Sequence, residues 1–456
     1  MLRRAAISAL TLCLALIASA RTRPHYGGTL RIEVRGDAWA PDGLARQLVL
    51  DGLTRLDRSG AALPALAVRW TEQNHDQRWE FHLRPDVRFQ DSTQLTAEAV
   101  VASLTASCAT SAASVGADPA TAPPCPWNAV YVGGPLDVVI TTSTPSPDLP
   151  PLLAQSQFAI SRKDPSGVLQ GTGPFRVAGF TNGALTLTAY GACWQGRPFL
   201  DSVQIFQHRS LRDQWLDLSV GRADIVQVPP QLLPQARQQH LNVVESAPVD
   251  LLALTLSAQG IFADANARRA AALAVDRSAL YNVIFQKQGE VTASLLPQWL
   301  SGYAFLFPAD RDVNRARVLR GGAFPAPIML QNDLGGATMQ LVAERLALNL
   351  NEAGFNVKMA RPGSSAAMHL RLVRLQQTSP RAALDEMLTA FTLNVTVNGT
   401  DAQSLWQAEN SALQSNTVIP LLWLPRAWAV GERVRDLRLS PDGEPLLANA
   451  SLEGAK

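Results

Sequence analysis

The sequence lacks the short motifs that mark several common enzyme classes. It contains no G-x-S-x-G elbow, no H-E-x-x-H helix, no phosphate-binding P-loop and no C-x-x-C pair. Each of these motifs places a nucleophile, a metal ligand or a phosphate cradle at a fixed spacing, so their absence leaves the corresponding reactions unsupported. We therefore predict that the protein is not an enzyme and uses no cofactor.

Metal-ligating residues are few and scattered. The chain has six histidines, and none has the spacing of a metal site: His25, His75, His82, His208, His240 and His369. An isolated histidine on a strand or loop is usually a surface residue, whereas metal sites combine several ligands at short spacing. The sequence therefore predicts no metal site.

A long apolar run occurs only at the start of the chain. Arg3 and Arg4 precede the apolar stretch from Ala5 to Ile17, and the small residues Ala18-Ser19-Ala20 follow it. This order is typical of a secretory signal peptide, and the run is shorter than the roughly 20 residues of a membrane span. We predict that residues 1–20 are removed and that the mature protein is periplasmic or otherwise extracytoplasmic. Cys13 lies inside the apolar run and is not predicted to be lipidated.

Neither sign of charge is in excess. The 40 basic residues fall to 38 when Arg3 and Arg4 are removed with the leader, against 38 acidic residues. A nucleic-acid-binding protein would be expected to keep a basic surplus. The balance therefore predicts no nucleic-acid partner.

Cysteine is scarce, and the leader takes one of the four. Cys108 and Cys125 flank a stretch rich in Ser, Ala and Pro. In an oxidising compartment a disulfide closing this loop would contribute about 3 kcal/mol in the chain-entropy view. We predict a bridge between them. Cys193 is left over, and its position beside Trp194 favours a small buried apolar residue over a reactive thiol.

Short strands and helices alternate along the chain. Apolar residues alternate over Thr29–Val34 and Trp79–Leu83, as in half-buried strands. Thr96 is positioned to cap a helix, and Asp276 to cap the second of two helices between residues 266 and 285. A further amphipathic helix covers residues 339–350 and ends before Gly354. This alternation predicts an α/β fold with two or three domains.

Several blocks resemble the peptide/nickel class of extracellular solute-binding proteins, family 5, in order and spacing. The blocks are Asp51-Gly-Leu-Thr-Arg55, Leu63-Pro-Ala-Leu-Ala67, Trp79-Glu-Phe-His-Leu-Arg84, Leu95-Thr-Ala-Glu-Ala-Val100, Gly171-Thr-Gly-Pro-Phe175, Trp194-Gln-Gly-Arg-Pro-Phe-Leu-Asp201 and Ala274-Val-Asp-Arg277. The resemblance implies a two-lobed periplasmic binding protein, a class II-like venus flytrap. It implies a first lobe of residues 21–50, 171–245 and 425–456, an accessory domain of that lobe at 51–170, and a second lobe at 246–424.

The chain departs from that family in its second lobe. Peptide-carrying members usually have an aromatic and acidic stretch ending in Asp-Pro there, with a carboxylate for the amino group of the ligand. Residues Leu370–Leu375 and Gln376–Pro380 contain no such motif. A peptide ligand is therefore less firmly implied than the fold.

The resemblance also suggests residues that line a cleft between the lobes. These are Trp39, Ser257, Tyr303, Trp423 and Arg426. Trp39 follows the first strand in a loop with no periodicity that demands burial, and Trp423 and Arg426 lie where the last strand re-enters the first lobe. For each of the five, packing or surface exposure is the competing interpretation.

We predict a monomeric solute-binding protein that delivers a peptide-like or other small polar solute to the permease subunits of an ABC importer. The alternative is a ligand-sensing or accessory clamp protein that has lost the transport ligand, which the missing second-lobe motif favours. The sequence identifies neither the solute nor the partner permease.

Overall fold

The computed structural model of the chain describes residues 25–40, 43–57, 60–114, 125–181, 183–304, 306–322, 326–361 and 365–453, with the backbone alone for 109–114. The predicted signal peptide and its cleavage site lie outside the described residues. None of the helices in the described ranges combines the length and hydrophobicity of a membrane span.

The described residues form 23 strands. The first nine are β1 (Thr29–Glu33), β2 (Thr54–Leu56), β3 (Ala62–Pro64), β4 (Ala67–Gln73), β5 (Arg78–Leu83), β6 (Ala129–Gly134), β7 (Asp137–Thr141), β8 (Arg162–Lys163) and β9 (Leu169–Gln170). The others are β10 (Phe175–Thr181), β11 (Ala184–Ala189), β12 (Ser202–Phe206), β13 (Ile225–Val228), β14 (Asn242–Leu256), β15 (Glu290–Val291), β16 (Ile328–Asn332), β17 (Val357–Met359), β18 (Met368–Arg374), β19 (Val418–Val430), β20 (Val434–Arg435), β21 (Arg438–Leu439), β22 (Pro445–Leu446) and β23 (Ser451–Leu452).

Helices alternate with these strands. They are α1 (Leu44–Val49), α2 (Ala97–Ser114), α3 (Leu149–Leu152), α4 (Leu211–Ser219), α5 (Leu233–Gln238), α6 (Ala265–Ala274), α7 (Arg277–Ala279), α8 (Gln298–Ser301), α9 (Val313–Arg320), α10 (Ala337–Glu352), α11 (Pro380–Ala390) and α12 (Ala402–Leu413).

One large mixed sheet runs through most of the molecule. Its strand order is β10-β11-β12-β1-β13-β19-β14-β18-β16-β17, and β15 pairs with β19. Strand β1 pairs in parallel with β12 and β13, whereas the long central strands β14 and β19 pair antiparallel. Because β19 pairs with β13 at one end and β14 pairs with β18 at the other, these two strands join both halves of the sheet.

The pairing of β14 with β19 is irregular where the two halves meet. The register shifts between Glu245 and Pro248 and again between Pro248 and Asp250, and Pro248 lies opposite Pro425. Proline has no N–H to donate to a β-ladder. The sheet is therefore held by fewer backbone hydrogen bonds at this crossing than on either side of it.

Residues 53–160 build a core of their own beside the large sheet. The sheet β4-β5-β7-β6 packs with α2, and Trp79, Phe81 and Leu83 all point into this core, as their alternation predicts. Separate apolar cores lie on the two halves of the large sheet, one around Leu30, Phe175 and Trp428 and the others beyond residue 250. The chain thus contains several independently packed hydrophobic cores.

The structure confirms the predicted α/β class and several local features. Thr96 precedes α2, and the Asp276 carboxylate accepts the Ala279 N–H at the start of α7, 2.8 Å away. Helix α10 covers the predicted 339–350 segment and extends it at both ends. The strand after α10 begins at Val357, because Phe355 still closes the end of that helix by donating its N–H to the Leu350 carbonyl.

Candidate functional site

A cavity of about 570 Å³ lies between helix α11 on one side and Cys108 with residues 125–158 on the other. We call it the α11 cavity. One wall comprises Cys108, Cys125, Pro126, Thr144, Pro145, Ser146, Pro147, Asp148, Leu149, Leu152, Gln155, Gln157 and Phe158, and the other comprises Gln376, Gln377, Arg381, Ala382, Asp385, Glu386, Thr389 and Ala390. Its volume lies within the roughly 300–1,000 Å³ that is usual for small-molecule sites.

The start of α11 is fixed against the opposite wall. The Ser379 hydroxyl accepts the Ala382 N–H as an N-cap and donates to the Asp148 carboxylate at 2.9 Å. Pro380 occupies the first turn, where its missing N–H costs nothing. One residue therefore caps the helix and ties it to the segment across the cavity.

A second contact beside this one requires a glycine. The Thr378 hydroxyl donates to the Gly60 carbonyl at 3.1 Å. Gly60 has a φ of 86°, and a Cβ atom there would lie 1.9 Å from the Thr378 hydroxyl oxygen. The segments around Gly60 and Thr378 can meet this closely only because residue 60 has no side chain.

Glu386 places a carboxylate in the wall of the α11 cavity. It accepts the backbone N–H groups of Gln376 and Gln377, the latter at 3.0 Å. Burial raises the pKa of Glu386 to about 7, although these two N–H donors lower it, and the nearby Asp442 carboxylate raises it further. Among the described residues no cation pairs with Glu386.

Each wall of the α11 cavity contains one glutamine that is almost completely buried. Gln377 is 6% exposed and Gln155 is 8% exposed. The Gln155 amide oxygen accepts a hydrogen bond from Gln157, whereas the side-chain amide of Gln377 has no partner among the described residues. The side-chain amide of Gln377 is accessible from the cavity and is therefore available to pair with a bound solute.

A second, smaller cavity of about 280 Å³ lies at the start of α10, where β14 and β19 cross. We call it the α10 cavity. Gln231 reaches across it and donates its side-chain N–H to the Thr338 hydroxyl at 2.9 Å, and Arg35 lies on its rim.

Most charges around the α10 cavity compensate one another, whereas Arg35 on its rim has no ion-pair partner among the described residues. Arg426 pairs with Glu444, and Arg374 pairs with both Glu444, at 3.1 Å, and Asp250, at 3.3 Å. These four side chains form a chain of alternating charge across the β14–β19 crossing. Their carboxylates are therefore already occupied.

The structure places the five predicted cleft residues in different surroundings. Arg426 lines the α10 cavity, and Trp39 is half-buried against the core around Leu30 and Phe175. Ser257 is half-buried at the far end of β14, where its N–H donates to the Ala367 carbonyl. The structure does not bring these three residues together, and their role in solute binding stays a prediction.

Tyr303 and Trp423 belong to one apolar core. Trp423 is completely buried, and the Tyr303 hydroxyl donates to the buried Glu409 carboxylate at 2.7 Å. Burial raises the pKa of Tyr303, and the Glu409 carboxylate raises it further. Neither residue lines the α10 or the α11 cavity.

The three described cysteines form one disulfide and one buried free thiol. Cys108 and Cys125 form a disulfide at the edge of the α11 cavity, with Cα atoms 5.4 Å apart. Cys193 is buried, and burial raises the pKa of its thiol to about 11, so the thiolate form is rare.

Sequence reasoning missed Gln155, Gln377 and Glu386. A helix signal was present, because Ser379-Pro380 is a typical N-cap followed by a first-turn proline. The pair Asp385-Glu386 then places acidic residues late in that helix, next to the apolar Met387. Nothing in the sequence shows that residues 125–158 pack opposite this helix.

The family model of the bacterial extracellular solute-binding proteins, family 5 Middle, matches residues 61–413. The chain belongs to this family. A search of curated proteins found no significant match. The family 5 assignment confirms the resemblance predicted from the sequence blocks and makes solute binding, rather than catalysis, the activity associated with these relatives.

Solved structures support the same fold. DppA of Helicobacter pylori, an ABC transporter-associated periplasmic binding protein in complex with the peptide STSA, superposes with a TM-score of 0.79 at 16% identity, covering 95% of this chain and 100% of that one. NikA of Staphylococcus aureus in complex with Ni(L-His)2 superposes with a TM-score of 0.77 at 17% identity, covering 93% of this chain and 100% of NikA. AgaA of A. tumefaciens R10 in complex with agropinic acid superposes with a TM-score of 0.75 at 20% identity, covering 93% of this chain and 99% of AgaA. The two-lobed fold is thus shared with proteins that hold chemically different ligands.

Proposed function

We propose that this family 5 protein is an extracytoplasmic receptor that binds a peptide-like or other small polar solute in the α11 cavity and delivers it to the permease subunits of an ABC importer. In this proposal it acts as a monomer, performs no catalysis and is exported by a leader at residues 1–20. The observation that carries the proposal is Gln377, a residue only 6% exposed, which lines a cavity of about 570 Å³ and whose side-chain amide has no hydrogen-bond partner among the described residues.

The proposed site lies between parts of the chain that belong to opposite lobes in the proposed division. That division assigns residues 51–170 to an accessory domain of the first lobe and 246–424 to the second lobe. The separate hydrophobic cores and the register shifts of β14 around Pro248 support it. A solute held by Gln155 on one side and Gln377 on the other would therefore join the lobes.

The site is suited to a solute with hydrogen-bonding groups and apolar parts. Its walls combine glutamine amides and hydroxyl groups with Leu149, Leu152 and Phe158. Glutamine both donates and accepts, so it can pair with amide or hydroxyl groups of a ligand. The surrounding apolar side chains would contact the ligand's carbon skeleton.

Mass spectrometry of solute released from the natively purified mature protein tests the proposal. We expect wild type to retain a small molecule and Gln377→Ala to lose it, because the substitution removes one ligand hydrogen bond, a loss of about tenfold in affinity. Gln231→Ala, in the α10 cavity, is the matched control and should retain the solute. Equal retention by all three proteins would contradict the assignment to the α11 cavity.

The alternative of a sensor or accessory clamp without a transport ligand predicts a different result. Such a protein would need no permease and would not deliver bound solute to transport-competent vesicles. No contact among the described residues favours this alternative over import.

A further inference from the structure

The described residues that line the α11 cavity carry more negative than positive charge. Asp148, Asp385 and Glu386 supply three carboxylates, and Arg381 supplies the one guanidinium. Arg381 pairs with Asp385 at 3.0 Å. Asp148 and Glu386 have no ion-pair partner among the described residues, so two negative charges face the cavity uncompensated.

We propose that the α11 cavity selects a solute that carries positive charge, and that its ammonium or guanidinium group pairs with the Glu386 carboxylate. This inference deepens the proposed function and depends on it, since it names the chemical class of the solute in the same cavity.

The geometry around Glu386 suits a cationic partner. Two backbone N–H groups, from Gln376 and Gln377, hold the carboxylate in place and leave further lone pairs free. Gln377 lines the same cavity with a side-chain amide that has no partner among the described residues, so one solute could contact both residues. Charge-assisted hydrogen bonds of this kind are roughly twice as strong as neutral ones.

The electrostatic state of Glu386 supports the same conclusion. Burial raises its pKa to about 7, which shows that the ionised carboxylate is poorly stabilised without a ligand. A cation that enters the cavity would restore the stabilisation that burial removes. By contrast, an anionic group would meet uncompensated carboxylates.

An organic cation fits better than a metal ion. No group of three or more histidine, cysteine, aspartate or glutamate side chains within the described ranges converges as metal ligands would. Hard metal cations require several oxygen ligands at once. A solute bearing one ammonium or guanidinium group needs only one carboxylate and neighbouring acceptors.

Three blocked tripeptides of similar size test the charge preference. N-acetyl-Ala-Lys-Ala-amide carries a charge of about +1, the Gln analogue about 0 and the Glu analogue about −1 at pH 8. We expect calorimetric titration of the mature protein to give the tightest binding for the Lys probe. In Glu386→Gln, its affinity should fall by about tenfold, while the affinity of the Gln probe stays unchanged.

Two further variants make the test decisive. Glu344→Gln removes an exposed carboxylate on α10 and should leave all three affinities as in wild type. Asp148→Asn removes the other uncompensated carboxylate and should also lower the affinity for the Lys probe. This variant keeps the test valid if Glu386→Gln does not fold.

The outcomes separate the inference from the proposed function. Equal or tighter binding of the neutral or anionic probe, or an undiminished Lys probe in both folded variants, overturns the charge preference. Failure of all three probes to bind wild type also overturns it. The co-purification experiment then still decides whether a solute occupies the cavity, because it does not depend on the charge of that solute.

Discussion

The α10 and α11 cavities differ in how their charged residues are satisfied. Around the α10 cavity, Arg374 and Arg426 meet Glu444 and Asp250 in a closed chain of ion pairs. In the α11 cavity, Glu386 receives only backbone N–H groups, and the Gln377 amide has no partner among the described residues. Charges that satisfy each other hold a structure together, whereas buried polar groups without a partner are suited to a ligand.

The same substitution in the two cavities should therefore have different effects. Glu444→Gln removes the carboxylate shared by two arginines, and Arg426 loses its ion-pair partner while it is 11% exposed. Breaking a buried pair in this way costs about 3–5 kcal/mol of unfolding free energy. We expect chemical denaturation to show a loss near 3 kcal/mol, because Arg374 keeps Asp250.

The matched variant is Glu386→Gln, measured under the same conditions. It removes a carboxylate that no cation compensates, so no guanidinium is left unpaired. At about pH 5, where Glu386 is largely protonated in the folded chain and so resembles the neutral glutamine, we expect the unfolding free energy to stay within about 1 kcal/mol of wild type. Similar losses in both variants would remove the distinction between the two cavities.

The disulfide at the edge of the α11 cavity should contribute the next largest effect. Replacing both Cys108 and Cys125 by alanine removes the cross-link that restricts the unfolded chain, so the unfolded state gains conformational entropy. We expect the unfolding free energy to fall by about 3 kcal/mol. Thiol mapping of the denatured, non-reduced mature protein should find a free thiol at Cys193 and none at Cys108 or Cys125. Free thiols at positions 108 and 125 would refute the bridge.

Trp39 offers a smaller effect that separates packing from binding. A stacking aromatic anchor in a cleft would cost about 1–3 kcal/mol of binding when replaced by alanine. Because Trp39 is half-buried against a core, Trp39→Ala should also lower the unfolding free energy, though by less than the 3–5 kcal/mol typical of a fully buried tryptophan. Melting and affinity measured on one preparation distinguish the two roles.

The smallest effect concerns pH. The pKa of Glu386 is raised to about 7, so its carboxylate is mostly protonated at pH 6 and ionised at pH 8. The Lys probe should bind more tightly as pH rises through 7, by at most about tenfold. Asp148, Asp385, Arg381 and Asp442 also act on this region, so the Glu386→Gln profile, which should be flat, is the reference.

The stability of the unliganded protein should change in the opposite sense. A carboxylate whose pKa is higher in the folded chain ionises more easily when unfolded, so stability falls as pH rises from about 4.5 to 7. Glu33 has a pKa of about 7 for the same main reason, burial, and contributes to the same window. Glu386→Gln should remove only the contribution of Glu386 to the slope of unfolding free energy against pH.

The sequence predicted local structure better than it predicted the site. Alternation at Trp79, Phe81 and Leu83 reports which face of a strand is buried, because strand side chains alternate with a period of two. Site residues such as Gln155 and Gln377 come together only through packing between segments more than 200 residues apart in the chain. Their neighbours in sequence carry no information about that packing.

Trp423 illustrates a second limit. Its position near the re-entry of the last strand suggested a cleft residue, but β19 is buried along its whole length except at Arg426. A continuous apolar strand of this kind is covered on both faces. The run of apolar residues from Val418 to Leu424 was the signal that favoured packing.

Strand β19 also sets the order in which the chain can fold. Val418–Val430 pairs with β13 on one side and β14 on the other, so the two halves of the large sheet cannot be joined before this segment is in place. Pairings this distant in sequence form slowly. A nascent chain would therefore lack its central sheet until residues 418–430 have been synthesised.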